Sequence, residues 1–182
     1  MSFRLPAALR IVLGCLGLLA VALAPSRAAD LENTLYLDLK DGRVVIQLRP
    51  DLAPNHVARI KELVRRGFYD GLKFHRVIPG FMAQTGDPLG DGTGGTHHPI
   101  KSEFSAAPFV RGTLGMARAQ DPDSADSQFF ICFAAAPSLN GQYTVFGQVT
   151  EGMEFVDKIE RGEPPAHPDK IVKIQVAADA KP

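Results

Sequence analysis

The chain has 182 residues, of which 45% are apolar and 22% are charged, a composition typical of one globular domain. Its formal net charge is zero, so no basic excess favours nucleic acid and no acidic block favours cations. Of its two cysteines, Cys15 lies in an N-terminal apolar segment. The other, Cys132, then has no disulfide partner in the chain, and we expect it to be a buried apolar residue.

The first 28 residues have the three-part pattern of a secretory signal peptide. Arg4 and Arg10 precede an unbroken apolar run over 11–24, and small residues follow near Ala28. A run of about 14 residues is shorter than the roughly 20 that a bilayer-spanning helix needs. We therefore predict cleavage after Ala28 or Ala29, with residues 1–28 as signal peptide and 29–182 as the mature domain.

The predicted cleavage has two consequences and two alternatives. It removes three arginines and no acid, which leaves a mature net charge of −3, and it leaves no stable membrane insertion. The alternatives are an uncleaved membrane anchor and a lipoprotein signal at Cys15. The lipoprotein signal is disfavoured because the apolar run continues past Cys15.

The first elements of the mature chain are a hairpin and a helix. Residues 34–40 and 43–49 alternate apolar and polar side chains around Asp41-Gly42, a strong signal for a hairpin turn. Pro54 suits the first position of a helix, and Gly67 suits its end. The predicted helix carries an apolar stripe of Val57, Ile60, Leu63 and Val64.

The rest of the chain consists of short apolar runs separated by glycine and proline. A second helix is predicted over 153–160, and the polar tail 177–182 is expected to fray. Eight short strands with two helices favour an all-β fold, a closed eight-stranded antiparallel barrel capped by the helices, because closure removes exposed edges. The six further strands are predicted at 74–78, 81–84, 113–117, 129–133, 144–149 and 171–176.

Three motifs resemble known binding sites but lack the context that such sites require. Residues 90–95 match a dinucleotide fingerprint, yet no helix follows and no βαβ unit surrounds them. Residues 121–126 resemble a calcium loop without its glycine and final glutamate. His97-His98 has no further ligand at metal-binding spacing. We expect no metal site and no cofactor, and interpret 90–95 as a loop at the rim of a site.

One constellation remains, in residues 74–87 and 127–131. The turn at Pro79-Gly80 should return Gln84 beside Arg76, with Phe81 or Met82 nearby. Gln128 and Phe130 should share a face on a later strand. Two interpretations stay open from the residues alone: a pocket for an apolar group that carries an amide, or a barrel core with an arginine at its mouth.

The motifs Phe-His-Arg-Val-Ile-Pro-Gly-Phe-Met at 74–82 and Ser-Gln-Phe-Phe-Ile at 127–131 resemble the cyclophilin family. Similarity in the same order extends through 92–95, 112–117 and 145–149, and covers roughly residues 33–176. The resemblance implies a filled eight-stranded barrel with the site on its outer face. It also implies a peptidyl-prolyl cis/trans isomerase that acts on proline-containing polypeptides during protein folding.

The resemblance assigns roles to individual residues. It implies that Arg76 is the catalytic arginine and that the rest of the site binds the peptide. The proline pocket would consist of Phe81, Met82, Phe130 and Leu139 with Tyr143 at its edge, and the remaining peptide groove of Gln84, Ala117, Arg118 and Gln128.

Three positions depart from many family members, and they resemble bacterial periplasmic cyclophilins. Ser138 replaces a tryptophan that helps bind cyclosporin, Tyr143 replaces a histidine and Arg118 replaces an asparagine. We therefore expect weak cyclosporin binding and a periplasmic location, with secretion as the alternative, and a monomer by default. Two other functions remain as hypotheses: a non-catalytic module that binds proline-containing segments, and a small-molecule barrel of lipocalin type.

Overall fold

The computed structural model describes residues 30–181, so the predicted signal peptide at 1–28 lies outside the described residues. Within 30–181, no helix is both long enough and apolar enough to cross a membrane. The described chain is dominated by eight β-strands, with two short α-helices. The prediction of a β-dominated fold with these numbers of elements is confirmed.

The predicted N-terminal hairpin is present. Strands β1 (Thr34–Leu39) and β2 (Gly42–Leu48) pair antiparallel around the Asp-Gly turn. Gly42 has a φ of +152°, and a Cβ there would lie 2.5 Å from the ring of Phe155. Glycine at this position therefore permits both the turn and the close packing of helix α2 (Met153–Val156) against β2.

The predicted first helix, α1 (Pro54–Arg65), is confirmed, and Gly67 with a φ of +67° follows its end. The free N–H groups of its first turn bind the carboxylate of Glu103, at 3.1 Å from Asn55 N and 3.0 Å from His56 N. The buried face of the helix comprises His56, Val57, Ile60, Leu63 and Val64.

All eight strands form one antiparallel sheet in the order β3-β4-β6-β5-β7-β2-β1-β8. Helix α2 is a single turn, shorter than the predicted 153–160. The remaining strands are β3 (Arg76–Ile78), β4 (Met82–Thr85), β5 (Thr113–Met116), β6 (Phe129–Cys132), β7 (Val145–Glu151) and β8 (Lys173–Val176).

The expectation of a closed barrel was wrong, because the sheet is an open, curled half-barrel. Its edge strands β3 and β8 share no ladder within the described residues. Irregular backbone from the segment between α2 and β8 lies along the free side of β3 instead. Phe74 N donates to Asp169 O at 2.9 Å, and an isolated bridge joins Val77 to Gly162. The exposed edges are therefore protected without closure.

Apolar side chains collect in two clusters on opposite faces of the same strands. An enclosed cluster fills the inside of the curled sheet beneath α1 and includes Phe129 and Ile131 of β6. A smaller outer cluster includes the alternate residues of β6, Phe130 and Cys132, together with Met82 of β4. Successive residues of a strand point to opposite faces, so β6 contributes to both clusters.

The C-terminal tail is more ordered than predicted. Ala177–Asp179 forms a 3-10 turn in which Ala177 is buried. The carboxylate of Asp179 pairs with Nε of Arg65 at 2.9 Å, which ties the tail to α1. The expectation of fraying was wrong for these residues, because an ion pair between distant segments is not visible in a polar tail sequence.

Candidate active site

A β-hairpin brings the first two polar side chains of the site together. Strands β3 and β4 pair with Arg76 opposite Gln84, and opposed residues of an antiparallel pair project from the same face. Nη1 of Arg76 lies 3.5 Å from Oε1 of Gln84. Gly80, with a φ of +69°, completes the turn after Pro79. Gln84 therefore returns beside Arg76, as the sequence predicts.

A chain of hydrogen bonds leads from Gln84 to the glycine-rich loop. Nε2 of Gln84 donates to Oε1 of Gln128 at 2.9 Å. Nε2 of Gln128 in turn donates to the carbonyl oxygens of Gly92 at 3.0 Å and Gly94 at 2.8 Å. The loop predicted at the rim of a site is therefore bonded to the site's polar side chains.

Asp87 holds the glycine-rich loop through hydrogen bonds to its backbone. Its carboxylate accepts hydrogen bonds from Leu89 N at 2.8 Å and Asp91 N at 3.0 Å. Burial disfavours its charged form, but backbone N–H groups including those of Gly92 and Gly90 outweigh that effect and lower the pKa of Asp87. An ionised Asp87 therefore fixes the loop's backbone in place.

An apolar pocket of about 220 Å³ opens beside Arg76. Met82 and Phe130 come from neighbouring strands, and Leu139 comes from the 3-10 turn Pro137–Leu139. Sites for drug-sized ligands occupy about 300–1,000 Å³, so this pocket suits one small apolar group. Its lining comprises Arg76, Phe81, Met82, Gln84, Ala117, Arg118, Phe130, Leu139 and Tyr143.

A second pocket of about 280 Å³ adjoins the first and shares Gln84, Ala117 and Arg118 with it. It is formed mainly by the glycine-rich loop and by residues of the 117–128 segment, including Gln128. Every site residue that the sequence predicted lines one or both pockets. The two pockets form one groove, with most of its aromatic and aliphatic side chains at one end and the glycine-rich loop with polar side chains at the other.

Arg118 lies where the two pockets meet, against Tyr143. Its guanidinium carbon stands 4.6 Å from the centre of the Tyr143 ring, a cation–π contact. Arg118 also donates to backbone carbonyl oxygens of Ala119 at 2.9 Å and Gln142 at 3.0 Å. Two of the three departures from the common family pattern therefore contact each other, which the sequence did not reveal.

Sequence reasoning missed one charged residue of the site. Nε of Arg76 donates to Oε2 of Glu163 at 2.7 Å, although the two residues are 87 positions apart. Glu163 lies in a loop between α2 and β8, outside any regular element. No periodicity or motif links it to Arg76, and only the bridge between Val77 and Gly162 reveals the proximity.

The chemistry of the groove is that of hydrogen bonds and apolar contact. Among residues 30–181, no group of three or more His, Cys, Asp and Glu side chains could hold a metal ion. Cys132 is buried beneath the pocket, and burial raises the pKa of its thiol to about 12. It is therefore a structural residue, as predicted, and a poor nucleophile. Two guanidinium groups, two amides and an apolar pocket suit recognition of an amide bond beside a small ring.

Comparison with known proteins agrees with this geometry. Residues 34–176 match the family model of the cyclophilin type peptidyl-prolyl cis-trans isomerases. A probable peptidyl-prolyl cis-trans isomerase of Brucella suis is 56% identical over 177 residues, covering 88% of this chain and 90% of the relative. Peptidyl-prolyl cis-trans isomerase B of Bacillus subtilis is 47% identical over 134 residues, covering 72% of this chain and 93% of the relative.

Solved structures give the same result. Cyclophilin AquaCyp293 of Hirschia baltica superposes with a TM-score of 0.77 at 29% identity, covering 86% of this chain and 78% of the other. A cyclophilin of Cryptosporidium parvum, crystallised in the presence of the dipeptide Ala-Pro, gives a TM-score of 0.73 at 28% identity, covering 79% and 98%. The lipocalin hypothesis is excluded, and the chain belongs to the cyclophilin family of peptidyl-prolyl cis-trans isomerases.

Proposed function

We propose that the groove accelerates rotation about X–Pro bonds of polypeptide clients, with Arg76 stabilising the twisted amide and the apolar pocket holding the proline ring. One observation carries this proposal. The guanidinium of Arg76 lies at the edge of an apolar pocket sized for one small ring, beside the Gln84 amide, which can steady a carbonyl group. The residues that we propose to bind the peptide are those predicted from the sequence, and they line the groove.

The reduction of the rotational barrier that catalysis requires is larger than a single contact supplies. Rotation must break amide resonance, with a barrier of about 18–20 kcal/mol. An acceleration of about 10⁵-fold requires a reduction of roughly 6.8 kcal/mol, since each tenfold corresponds to about 1.36 kcal/mol. No proton transfer or covalent step is needed.

Arg76 provides an interaction that exists only in the transition state. In a planar amide the proline nitrogen shares its lone pair with the carbonyl group and accepts no hydrogen bond. When the bond twists, the nitrogen becomes pyramidal and its lone pair becomes an acceptor. A guanidinium that donates there binds the transition state and not the ground state, which raises the rate. Arginine suits this role because it stays charged and its donors have a fixed geometry.

The apolar pocket supplies the rest of the stabilisation. A hydrogen bond to a charged group contributes about 1.5–3 kcal/mol, well below the requirement. Met82, Phe130 and Leu139 are buried, so they form a firm apolar surface against which a proline ring could be held. A preorganised surrounding also strengthens the contact that Arg76 makes. Gln84 would steady the carbonyl side as it turns.

The client chain would continue through the polar half of the groove. Arg118 and Gln128 line that half, and Ala117 borders both pockets. These groups can bind the peptide backbone without selecting one sequence, as a folding catalyst with many clients requires. We therefore propose proline-containing polypeptides as partners. We further propose that the protein binds no nucleic acid and no cofactor and acts as a monomer.

Isomerisation of a short Ala-Pro peptide, started from a cis-enriched population, tests the role of Arg76. Arg76→Ala should lower kcat/KM about 10²-fold, the effect of removing one preorganised donor to developing charge. Arg43→Ala is a matched control, because Arg43 is a surface residue of β2 that pairs with Asp38. Near-normal isomerisation by a folded Arg76→Ala protein would refute the proposed mechanism.

The location in the cell is a separate part of the proposal. We propose that residues 1–28 direct export and are removed, and that the mature domain acts in the periplasm. The three-part pattern of that segment supports this proposal. N-terminal sequencing of the protein from a periplasmic fraction should begin at Ala29 or Asp30. A chain that retains Met1 and stays in the cytoplasm would contradict it.

A further inference from the structure

The guanidinium of Arg76 has an ionic partner that does not line the groove. Nε of Arg76 donates to Oε2 of Glu163 at 2.7 Å, while the side chain of Arg76 lines the apolar pocket. Glu163 lines neither pocket, so it contacts the guanidinium from outside. This placement makes it a poor contact for substrate and a candidate for a role that acts through Arg76.

Backbone pairing between β3 and the loop places Glu163 next to Arg76. Val77 N donates to Gly162 O at 2.8 Å, and Gly162 N donates to Val77 O at 2.8 Å. In this antiparallel bridge, the residue before Val77 stands opposite the residue after Gly162. Arg76 and Glu163 are therefore cross-strand neighbours, a pairing in which opposite charges attract.

The backbone of the loop fits this arrangement closely. Gly162 has a φ of +151°, and a Cβ there would lie 2.5 Å from Pro165 Cα and 2.7 Å from Pro164 O. Only glycine adopts this conformation without strain or collision. The loop that covers the edge of β3 is therefore shaped so that its next side chain, Glu163, reaches Arg76.

The geometry of the pair uses Nε of Arg76 and leaves Nη2 available for the reaction. An arginine side chain that is 43% exposed would otherwise sample many rotamers, and ordering it costs free energy. Fixing Nε–H fixes the plane of the guanidinium, because the group is rigid. Nη1 then lies near Gln84, and Nη2 makes no hydrogen bond to any residue between 30 and 181.

We propose that Glu163 is a positioning residue that holds Arg76 by Nε and directs its outer N–H groups into the groove. This inference rests on the proposed role of Arg76 in the reaction. Since Arg76 acts in the transition state, loss of its orientation should lower kcat and leave KM nearly unchanged.

The first test compares kcat and KM for an Ala-Pro peptide across three single variants. Glu163→Ala should lower kcat about fivefold, the upper end of what a half-exposed ion pair contributes. Glu163→Gln should lose only about twofold, because its amide oxygen still accepts from Nε without the charge that strengthens the bond. Glu160→Gln is the control for charge in the same loop, since Glu160 binds His167 and not Arg76, and its kcat should not change.

The second test asks whether Glu163 acts through Arg76. In an Arg76→Ala background, adding Glu163→Ala should have no further effect on kcat. If Arg76→Ala alone isomerises at nearly the wild-type rate, the proposed role of Arg76 is wrong. If Arg76→Ala is slow while Glu163→Ala is as fast as wild type or faster, only the role of Glu163 is overturned. An equal loss from Glu163→Ala in both backgrounds would also overturn it.

Discussion

The two faces of strand β6 differ in what they contact. Phe129 is 1% exposed and lies edge-on to Tyr69 and Phe146, with ring centres 5.5 Å and 5.9 Å away, inside the enclosed cluster. Phe130 is 5% exposed, stacks on Phe109 at 5.8 Å and meets Tyr143 at the wall of the pocket. Phe129 and Phe130 are therefore almost equally buried, although Phe129 is surrounded by core residues and Phe130 forms part of the pocket wall.

This contrast shows how one sheet can form both the enclosed hydrophobic cluster and the candidate active site. The period of two along a strand sends alternate residues into the enclosed cluster and toward the groove. Burial alone does not separate the two roles. What separates them is whether a buried side chain faces only other core residues or also the open pocket, and substitutions on adjacent residues can test this.

The largest expected loss of stability is on the enclosed face of β5. Leu114 is fully buried against the enclosed cluster, so Leu114→Ala should lower the free energy of unfolding by about 2–5 kcal/mol. Urea denaturation measures this loss. The kcat/KM of the protein that remains folded should stay near the wild-type value, and a selective loss of kcat/KM without a loss of stability would contradict the assignment.

The next residue along β5 should behave differently. A Cβ at Gly115 would lie 2.4 Å from Cζ of Phe130 and 2.6 Å from Cε1 of Phe109. Gly115→Ala should therefore cost about 1–3 kcal/mol through overpacking, and should also lower kcat/KM because the Phe130 ring must move. Urea denaturation and peptide isomerisation measure the two effects. Normal kcat/KM in the folded Gly115→Ala protein would mean that the ring can shift without disturbing the pocket.

The smallest expected effect is a pH dependence of stability from His75, which lies just before β3. Its ring is buried, and burial lowers the pKa of His75 despite the nearby charge of Asp87. His75 therefore binds a proton more readily in the unfolded chain than in the folded protein. The stability that neutral His75 contributes is fully present above about pH 6.5 and declines as the pH falls below that value. His75→Gln should therefore reduce the decline in the free energy of unfolding that denaturation measures between about pH 6.5 and pH 5. An unchanged slope would exclude His75 as its source.

Much of the fold could be predicted from local signals. The Asp-Gly turn fixed the register of the first hairpin, and the Pro79-Gly80 turn fixed that of the second, which put Gln84 beside Arg76. Both are consequences of turn geometry and strand alternation within short stretches of chain. Strand alternation also placed Gln128 and Phe130 on one face, whereas Ala117, Arg118, Leu139 and Tyr143 were identified only by resemblance to a family.

Contacts between distant segments could not be predicted. Glu163 reaches Arg76 because irregular backbone covers the short strand β3, and Arg118 stacks on Tyr143 from a separate segment of the chain. The expected closure of the barrel failed for the same reason. A count of strands cannot reveal that irregular backbone, and not β8, lies along the free side of β3.

One pair of matched variants tests most directly whether the outer face of the sheet is the active site. Phe129→Leu and Phe130→Leu make the same change at adjacent residues of β6, and each protein would be studied by urea denaturation and by Ala-Pro peptide isomerisation. We expect Phe129→Leu to lose more free energy of unfolding while keeping kcat/KM near wild type. We expect Phe130→Leu to lose kcat/KM about tenfold, because loss of the ring's contact with substrate should raise the barrier by about 1.4 kcal/mol. Wild-type kcat/KM in a folded Phe130→Leu protein would contradict the account.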